Sequence, residues 1–176
     1  MARPTRRGDD GAERARLDEL AEVYSAADAL FAGHSCPAST ECCRFGVTGR
    51  EPYVTSVEVA ALRRAIAALG GIPALRNRIR TAPDAELAGA RPLPALRTVR
   101  DERRCAFLTD SGRCAVYEAR PLGCRTYFCE RATVEATVRH ERVRELVRRV
   151  QDVAAKHRSE GDRGRPLTRA LADLGM

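Results

Sequence analysis

The 176-residue sequence lacks several features that mark common classes of protein. No apolar run approaches the roughly 18 residues that a membrane-spanning helix needs, so no membrane partner is expected. The first residues, MARPTRRGDDGAERA, carry positive charge but no apolar segment, so no secretory signal is predicted. The common nucleotide-binding, metalloprotease and serine-hydrolase motifs are also absent. These absences favour a cytoplasmic protein and give no positive sign of an enzyme, although a cysteine–histidine pair would leave no local motif.

Lysine is almost missing as well. The chain has 31 lysine and arginine residues, and Lys156 is the only lysine among them. The formal net charge of +7 supports non-specific association with acidic partners. Abundant arginine beside abundant alanine is equally typical of codon bias in a GC-rich genome. The charge alone therefore does not make nucleic acid the expected partner, and no protein partner is indicated.

Helical patterns cover much of the chain after residues 1–12, which are expected to form a disordered tail. Thr55 and Glu58 have the spacing of a capping box and predict a helix that Gly70 and Gly71 end. A short helix is expected from Pro73, and a long one over residues 132–157. Three apolar stripes are predicted to face the core: Leu17, Leu20, Tyr24, Ala27 and Phe31; Val59, Leu62, Ile66 and Leu69; and Val143, Leu146, Val147, Val150, Val153 and Ala154.

The segment CAFLTDSGRCAVY, residues 105–117, predicts a β-hairpin, because apolar stretches flank the turn residues Asp110, Ser111 and Gly112. A short turn or helix after Pro121 is expected to carry Cys124. Residues 83–104 contain three prolines and are predicted to be mostly loop. Residues 159–176 are predicted to form a linker and a short C-terminal helix.

All seven cysteines fall in two short stretches of the chain: Cys36, Cys42 and Cys43 in the first, and Cys105, Cys114, Cys124 and Cys129 in the second. Clustered cysteines in a reducing compartment more often bind metal than form disulfides. Thiolates are soft ligands that suit zinc and iron–sulfur clusters, and one tetrahedral zinc takes four of them. Seven thiols therefore predict a metal centre with spare or bridging ligands. Small buried hydrophobic cysteines and a disulfide framework are the alternatives.

The pattern CPASTECCRF, followed by TSVEVAAL and then by CAFL and GRCAVYEARPLGCRTYF, resembles the YkgJ-like cysteine-cluster family of bacteria. The resemblance covers about residues 34–130. Its second half is the stronger, and the matching residues there are Cys105, Phe107, Leu108, Cys114, Val116, Tyr117, Glu118, Arg120, Pro121, Cys124 and Arg125. The resemblance implies a zinc- or iron-chelating domain. That family is similar to the cysteine-rich part of flagellin lysine N-methylases, which implies an iron–sulfur enzyme as an alternative.

One position departs from the CxxCxxCC signature of the family. Ser39 stands where the second cysteine is expected, and a hydroxyl is a poor ligand for a soft metal. Cys129 is a candidate replacement, and His34 is a candidate nitrogen ligand. A further set of residues near the cysteines is expected to offset the negative charge of bound thiolates: Arg44, Arg113, Arg120 and Arg125.

Together these patterns predict a mostly helical α+β fold, in which the helices pack around a small β-hairpin and a cysteine-ligated metal centre. Residues 13–158 are expected to form a single cysteine-cluster metal-binding domain, with both cysteine stretches at one site. The predicted function is metal binding, with zinc or an iron–sulfur cluster as cofactor. The alternatives are an iron–sulfur-dependent enzyme of methyltransferase-like or redox type, and a nucleic-acid or protein adaptor with structural zinc.

Overall fold

The computed structural model describes residues 7–32, 40–81, 103–126, 139–158 and 160–176. These residues form a mostly helical α+β fold. Its helices are α1 (Arg7–Leu30), α2 (Phe45–Thr48), α3 (Ser56–Ala68), α4 (Gly71–Thr81), α5 (Leu122–Arg125), α6 (His140–His157) and α7 (Leu167–Ala172). Short 3-10 turns span Glu41–Cys43 and Tyr117–Ala119. None of the described helices is long and apolar enough to cross a membrane.

Helix α3 begins with the capping box that its sequence predicts. The backbone N–H of Thr55 donates to the Glu58 carboxylate at 2.8 Å, and the Thr55 hydroxyl donates to the same oxygen at 2.9 Å. The helix ends before Gly70 and Gly71, which have φ of +92° and +85°. Glycine adopts this left-handed conformation without steric cost, and the predicted stop is thereby confirmed.

Two groups of buried side chains lie on different faces of α3. One group joins α1, α6 and α5 through Leu20, Val23, Tyr24, Ala27, Val57, Leu122, Leu146, Val150, Val153 and Ala154. The other joins α2, α4, α7 and the cysteine-bearing loop through Phe45, Val54, Val59, Leu62, Ile66, Leu75, Cys105, Phe107, Ala115, Val116, Leu167, Ala170 and Leu171. Fully burying one such large apolar side chain contributes about 1.5–3 kcal/mol. The expected C-terminal helix α7 is therefore part of a core.

The sheet has two strands, β1 (Tyr53–Val54) and β2 (Arg165–Pro166), which pair antiparallel. The predicted hairpin at residues 105–117 does not form a ladder: Leu108 and Cys114 make one isolated antiparallel bridge around a tight turn. The small sheet of this fold thus joins distant parts of the chain. The loop at residues 105–117 instead curls around its own turn, because Thr109 binds Arg113 through both its backbone N–H and its hydroxyl.

Several helix positions differ from the sequence prediction. Helix α1 begins at Arg7 rather than near Glu13. Helix α6 begins at His140, because Arg139 has extended backbone, and residues 132–138 of the predicted helix lie outside the described residues. Val147 was expected in the core but is 40% exposed, since it lies beside the α6 stripe that packs on α1 and α3. The other predicted apolar positions on the three helices are buried or half-buried, which confirms the predicted faces.

Candidate metal centre

Five of the seven cysteines line one cavity of about 110 Å³: Cys42, Cys43, Cys105, Cys114 and Cys124. They come from four separate segments, namely the first 3-10 turn, residues 103–108, the turn after residue 112, and α5. The rest of the wall is mainly apolar and includes Phe45, Phe107, Val116 and Leu167. The structure thus brings members of both cysteine stretches to one place.

The adjacent residues Cys42 and Cys43 both lie on the cavity wall, and their sulfur atoms are 3.8 Å apart. Side chains of adjacent residues do not easily point to one place in extended backbone. In this 3-10 turn, successive side chains are separated by about 120° rather than pointing to opposite sides as in a strand, so both thiols can reach the same space. Thr40 precedes the turn with φ of +59°, which is uncommon for a residue other than glycine.

Backbone hydrogen bonds join the two cysteine stretches directly. The N–H of Cys105 donates to the carbonyl of Cys43 at 2.8 Å, and the N–H of Phe45 donates to the carbonyl of Arg103 at 3.1 Å. Further along, the N–H of Ala115 donates to the carbonyl of Phe107 at 2.9 Å, which holds the Cys114 segment against the Cys105 segment. The thiols are therefore positioned by main-chain contacts as well as by side-chain packing.

Helix α5, which carries Cys124, is held in place by Glu58. One oxygen of this buried carboxylate accepts hydrogen bonds from the N–H of Leu122 at 2.8 Å and from the hydroxyl of Tyr24 at 3.3 Å. Gly123 allows α5 to approach β1 closely, because a Cβ atom there would lie 2.8 Å from Cβ of Pro52. Glu58 was predicted only as a helix cap, and its position between Val57 and Val59 was the available signal that its side chain is buried.

Arg125 has a structural role that the sequence did not predict. Its side chain is 3% exposed, and its Nε donates to the carbonyl of Arg120 at 2.8 Å. The guanidinium also bonds the carbonyl of Glu118 and the carboxylate of Asp28, and it stacks 4.3 Å from the ring centre of Tyr24. Arg125 therefore fixes the segment before Cys124 to α1, and it does not line the cysteine cavity.

Two of the four arginines that were expected to offset thiolate charge lie at the cavity. Arg113 and Arg120 line it, whereas Arg44 is exposed and does not. The Arg120 guanidinium lies 3.5 Å from the ring centre of Tyr117, and its Nε donates to the Tyr117 carbonyl at 2.9 Å. Its positive charge lowers the pKa values of nearby thiols, although stronger effects act in the opposite direction.

Burial and mutual contact raise the pKa values of four of the cavity thiols. The contact with Cys105, assisted by burial, raises the pKa of Cys43 to about 12. The contact with Cys43, followed by burial, raises the pKa of Cys42. Burial is the main cause of the raised pKa values of Cys114 and Cys124. Because a metal ligand must be the thiolate, a cation binding here would displace protons, and its own charge would stabilise the thiolates.

The donor set suits a soft metal in its chemistry, but it is not preassembled. Within the described ranges, no three cysteine, histidine, aspartate or glutamate side chains form a group that could hold a metal ion as they stand. The five described cysteines are free thiols. The thiols would have to rearrange around the cavity to reach a common centre. The remaining predicted ligands, Cys36, Cys129 and His34, lie outside the described residues, as does Ser39.

Comparison with known proteins adds no assignment to this geometry. No protein-family model, no curated protein and no solved structure matches the chain.

Proposed function

We propose that this chain is a metal-binding cysteine-cluster protein of the YkgJ-like kind, with both cysteine stretches holding one centre of zinc or iron–sulfur type. The observation that carries the proposal is the meeting of five thiols, from four separate segments, on the wall of one cavity. Small hydrophobic cysteines would also be buried in a core, but the convergence of five free thiols on one cavity suits the soft-metal chemistry of thiolates. Cys36 and Cys129 would complete the ligand set.

The number of thiols and the room between them favour a centre with more than one metal ion. A tetrahedral zinc takes four thiolates, and five are already present at the cavity. The cavity of about 110 Å³ also exceeds the roughly 30 Å³ that one water molecule occupies in the liquid. Two zinc ions that share bridging thiolates would use the extra ligands, and an iron–sulfur cluster, which four cysteines hold, would use the extra volume.

The surroundings of the cavity support a negatively charged thiolate centre. Arg113 and Arg120 lie on its wall, and the positive charge of Arg120 favours the thiolate forms of neighbouring cysteines. When bound, the metal would supply ordering free energy to the loops that carry the cysteines, and an iron–sulfur cluster would add electron transfer. Arg125 and Glu58 would hold α5 in position for Cys124.

Two serine substitutions test the proposal, one in each cysteine stretch. Cys43→Ser and Cys124→Ser should each lower the metal content of anaerobically purified protein, because one shared centre loses a ligand in either variant. Tyr117→Phe is the matched control, since it alters a cavity-lining residue, keeps the ring beneath Arg120 and removes no thiol. Metal analysis and the visible spectrum provide the measurement.

The outcomes separate one centre from two centres and from none. Loss of most of the metal in both cysteine variants, with full content in Tyr117→Phe, is the expected result. If each cysteine variant lost only its own separate fraction of the metal, the clusters would be two independent sites. If both variants kept the full complement, the cavity would not be the metal site.

A further inference from the structure

A second concave region of the molecule is lined by arginines and shares no lining residue with the cysteine cavity. Its volume is about 650 Å³, within the range typical of small-molecule sites. It lies where α1, α3 and the segment after α6 meet. The basic side chains on its wall are Arg14, Arg63, Arg64, Arg158, Arg163 and Arg165. We refer to it as the arginine cleft.

The six arginines of the wall outnumber its carboxylates, so the cleft carries a net positive formal charge among the described residues. Three carboxylates line the cleft, those of Asp10, Glu13 and Asp162. Asp162 is already engaged, because it accepts hydrogen bonds from the backbone N–H groups of Ser56 and Gly164. Arg165 pairs with Asp173 outside the cleft wall. Arg14, Arg63, Arg64 and Arg163 have no hydrogen bond or ion pair among the described residues.

The chain collects these arginines from regions far apart in sequence. Arg14 lies on α1, Arg63 and Arg64 on α3, and Arg163 on the segment that leads to β2. An arginine-rich composition by itself would spread solvated side chains over separate faces. Here like charges from three elements line one open cleft, and together they attract an anion.

The neighbouring polar groups suit binding rather than hydrolysis. The Ser56 hydroxyl lies 2.7 Å from Nδ1 of His157, and both residues line the cleft. A catalytic triad would need an acid on the other nitrogen of the imidazole. Asp162 instead bonds the backbone of Ser56 and Gly164. The serine and histidine therefore offer hydrogen-bonding groups beside the arginines.

We infer that the arginine cleft binds a small anion carrying a diphosphate group. One guanidinium group can donate two parallel hydrogen bonds to phosphate oxygens in a fixed geometry. Several arginines around one volume, without an ion-pair partner among the described residues, therefore favour a compact ligand with two or more negative charges. Asp10 and Glu13 on the same wall limit the positive charge to part of the cleft, which fits a compact anion better than a long, uniformly charged polymer such as nucleic acid. The cleft does not depend on the metal proposal, since the two cavities have separate walls.

Calorimetric titration of the full-length protein with pyrophosphate tests this inference. Saturable binding near one ligand per chain is expected, tighter than that of inorganic phosphate and weaker at higher salt. Arg63→Ala/Arg64→Ala should weaken it at least tenfold, because two charge-assisted contacts are lost. The matched control is Arg144→Ala/Arg148→Ala on the exposed face of α6, which should stay within twofold of wild type.

Each other outcome would overturn the inference. The absence of saturable pyrophosphate binding would do so, and so would equal weakening by the control pair, which would indicate non-specific charge attraction. If pyrophosphate acted only by removing metal from the cysteine cavity, its effect would be the same on wild type and on Arg63→Ala/Arg64→Ala, and the inference would be wrong. A single-stranded oligonucleotide that bound and could not be displaced by pyrophosphate would assign the cleft to nucleic acid. Arg163→Ala, in a loop, gives a second test if the α3 pair fails to fold.

Discussion

Replacing Glu58 by alanine should destabilise both the fold and the cysteine cavity. One carboxylate oxygen accepts from the N–H and the hydroxyl of Thr55, and the other accepts from Leu122 and Tyr24. Alanine would leave four donors without a partner in a site where Glu58 is only 2% exposed. Each stranded buried donor costs about 1 kcal/mol or more, so a loss of about 3–5 kcal/mol is expected. That is a large share of the 5–15 kcal/mol typical of a domain.

Glu58→Gln should cost about half as much. The amide keeps one oxygen acceptor but places an NH₂ group against one pair of donors, so two of the four hydrogen bonds are lost. Burial raises the pKa of Glu58, although its hydrogen bonds act to lower it. Because folding raises this pKa, protonation of Glu58 stabilises the folded state. This contribution is fully present below the carboxyl's ordinary pKa of 4.5 and is lost as the pH rises through the folded-state pKa. The stability difference between wild type and Glu58→Gln should therefore grow as the pH falls from 7 towards 4.5.

Urea unfolding of the reduced, metal-free protein provides the assay. Glu145→Ala on the exposed face of α6 is the matched control and should change stability by less than about 0.5 kcal/mol. Because Leu122 is the first residue of α5, Glu58→Ala should also expose Cys124 to alkylation in the folded protein. A cost below about 1 kcal/mol for Glu58→Ala, with Cys124 still protected, would show that the Glu58 hydrogen bonds do not hold α5 in place.

Three further predictions follow from individual residues. Gly123→Ala should destabilise the protein by about 1–3 kcal/mol, because its Cβ would lie 2.8 Å from that of Pro52. Gly11→Ala, where a Cβ would meet no atom within 4 Å, should instead stabilise α1 slightly. Equal effects of the two substitutions in thermal unfolding would contradict this. In the metal-free protein, the pKa of Cys43 is raised from 9.0 to about 12. The fraction of Cys43 present as thiolate at pH 8 should therefore be about a thousandfold lower than in the unfolded chain. Mass spectrometry should show correspondingly slow alkylation of Cys43 by iodoacetamide. Burial acts to raise the pKa of Asp162, but hydrogen bonds from Ser56 and Gly164 and the charge of Arg158 bring it below 3.8. The contribution of Asp162 to stability is therefore present above pH 3.8 and is lost as the pH falls through the folded-state pKa. The stability difference between wild type and Asp162→Asn should shrink in acid, and a constant difference from pH 7 to 3 would count against this.

The helices could be predicted largely from the sequence because their signals are local. The Thr55 and Glu58 capping box and the paired glycines define α3 within the chain itself, and the apolar spacing on α1 fixes its buried face. Strands β1 and β2 have two residues each, which is too short for any periodic pattern, and their pairing joins distant segments. The prediction that Val147 is buried was wrong, because an apolar stripe indicates which side of a helix faces the core but not how much of that side the neighbouring helices cover.

The candidate site was predictable in composition but not in geometry. The clustering of the cysteines indicated convergence, and five of them do line one cavity. That Cys42 and Cys43 both reach it depends on a 3-10 turn after Thr40, which no local motif announces. Likewise, the contacts that fix Arg125 to α1 are made with Asp28 and Tyr24, which are about 100 residues away in sequence.

Metal analysis of the wild-type protein, purified anaerobically and without added metal, shows whether the cysteine cavity is a metal centre. We expect zinc, or iron with acid-labile sulfide, at no less than one metal ion per chain, together with few thiols that react before the metal is removed. Iron would also give a visible absorption spectrum that chelators or oxidation abolish. A folded protein that contains no metal, with all seven cysteines recovered as free thiols, would contradict the account.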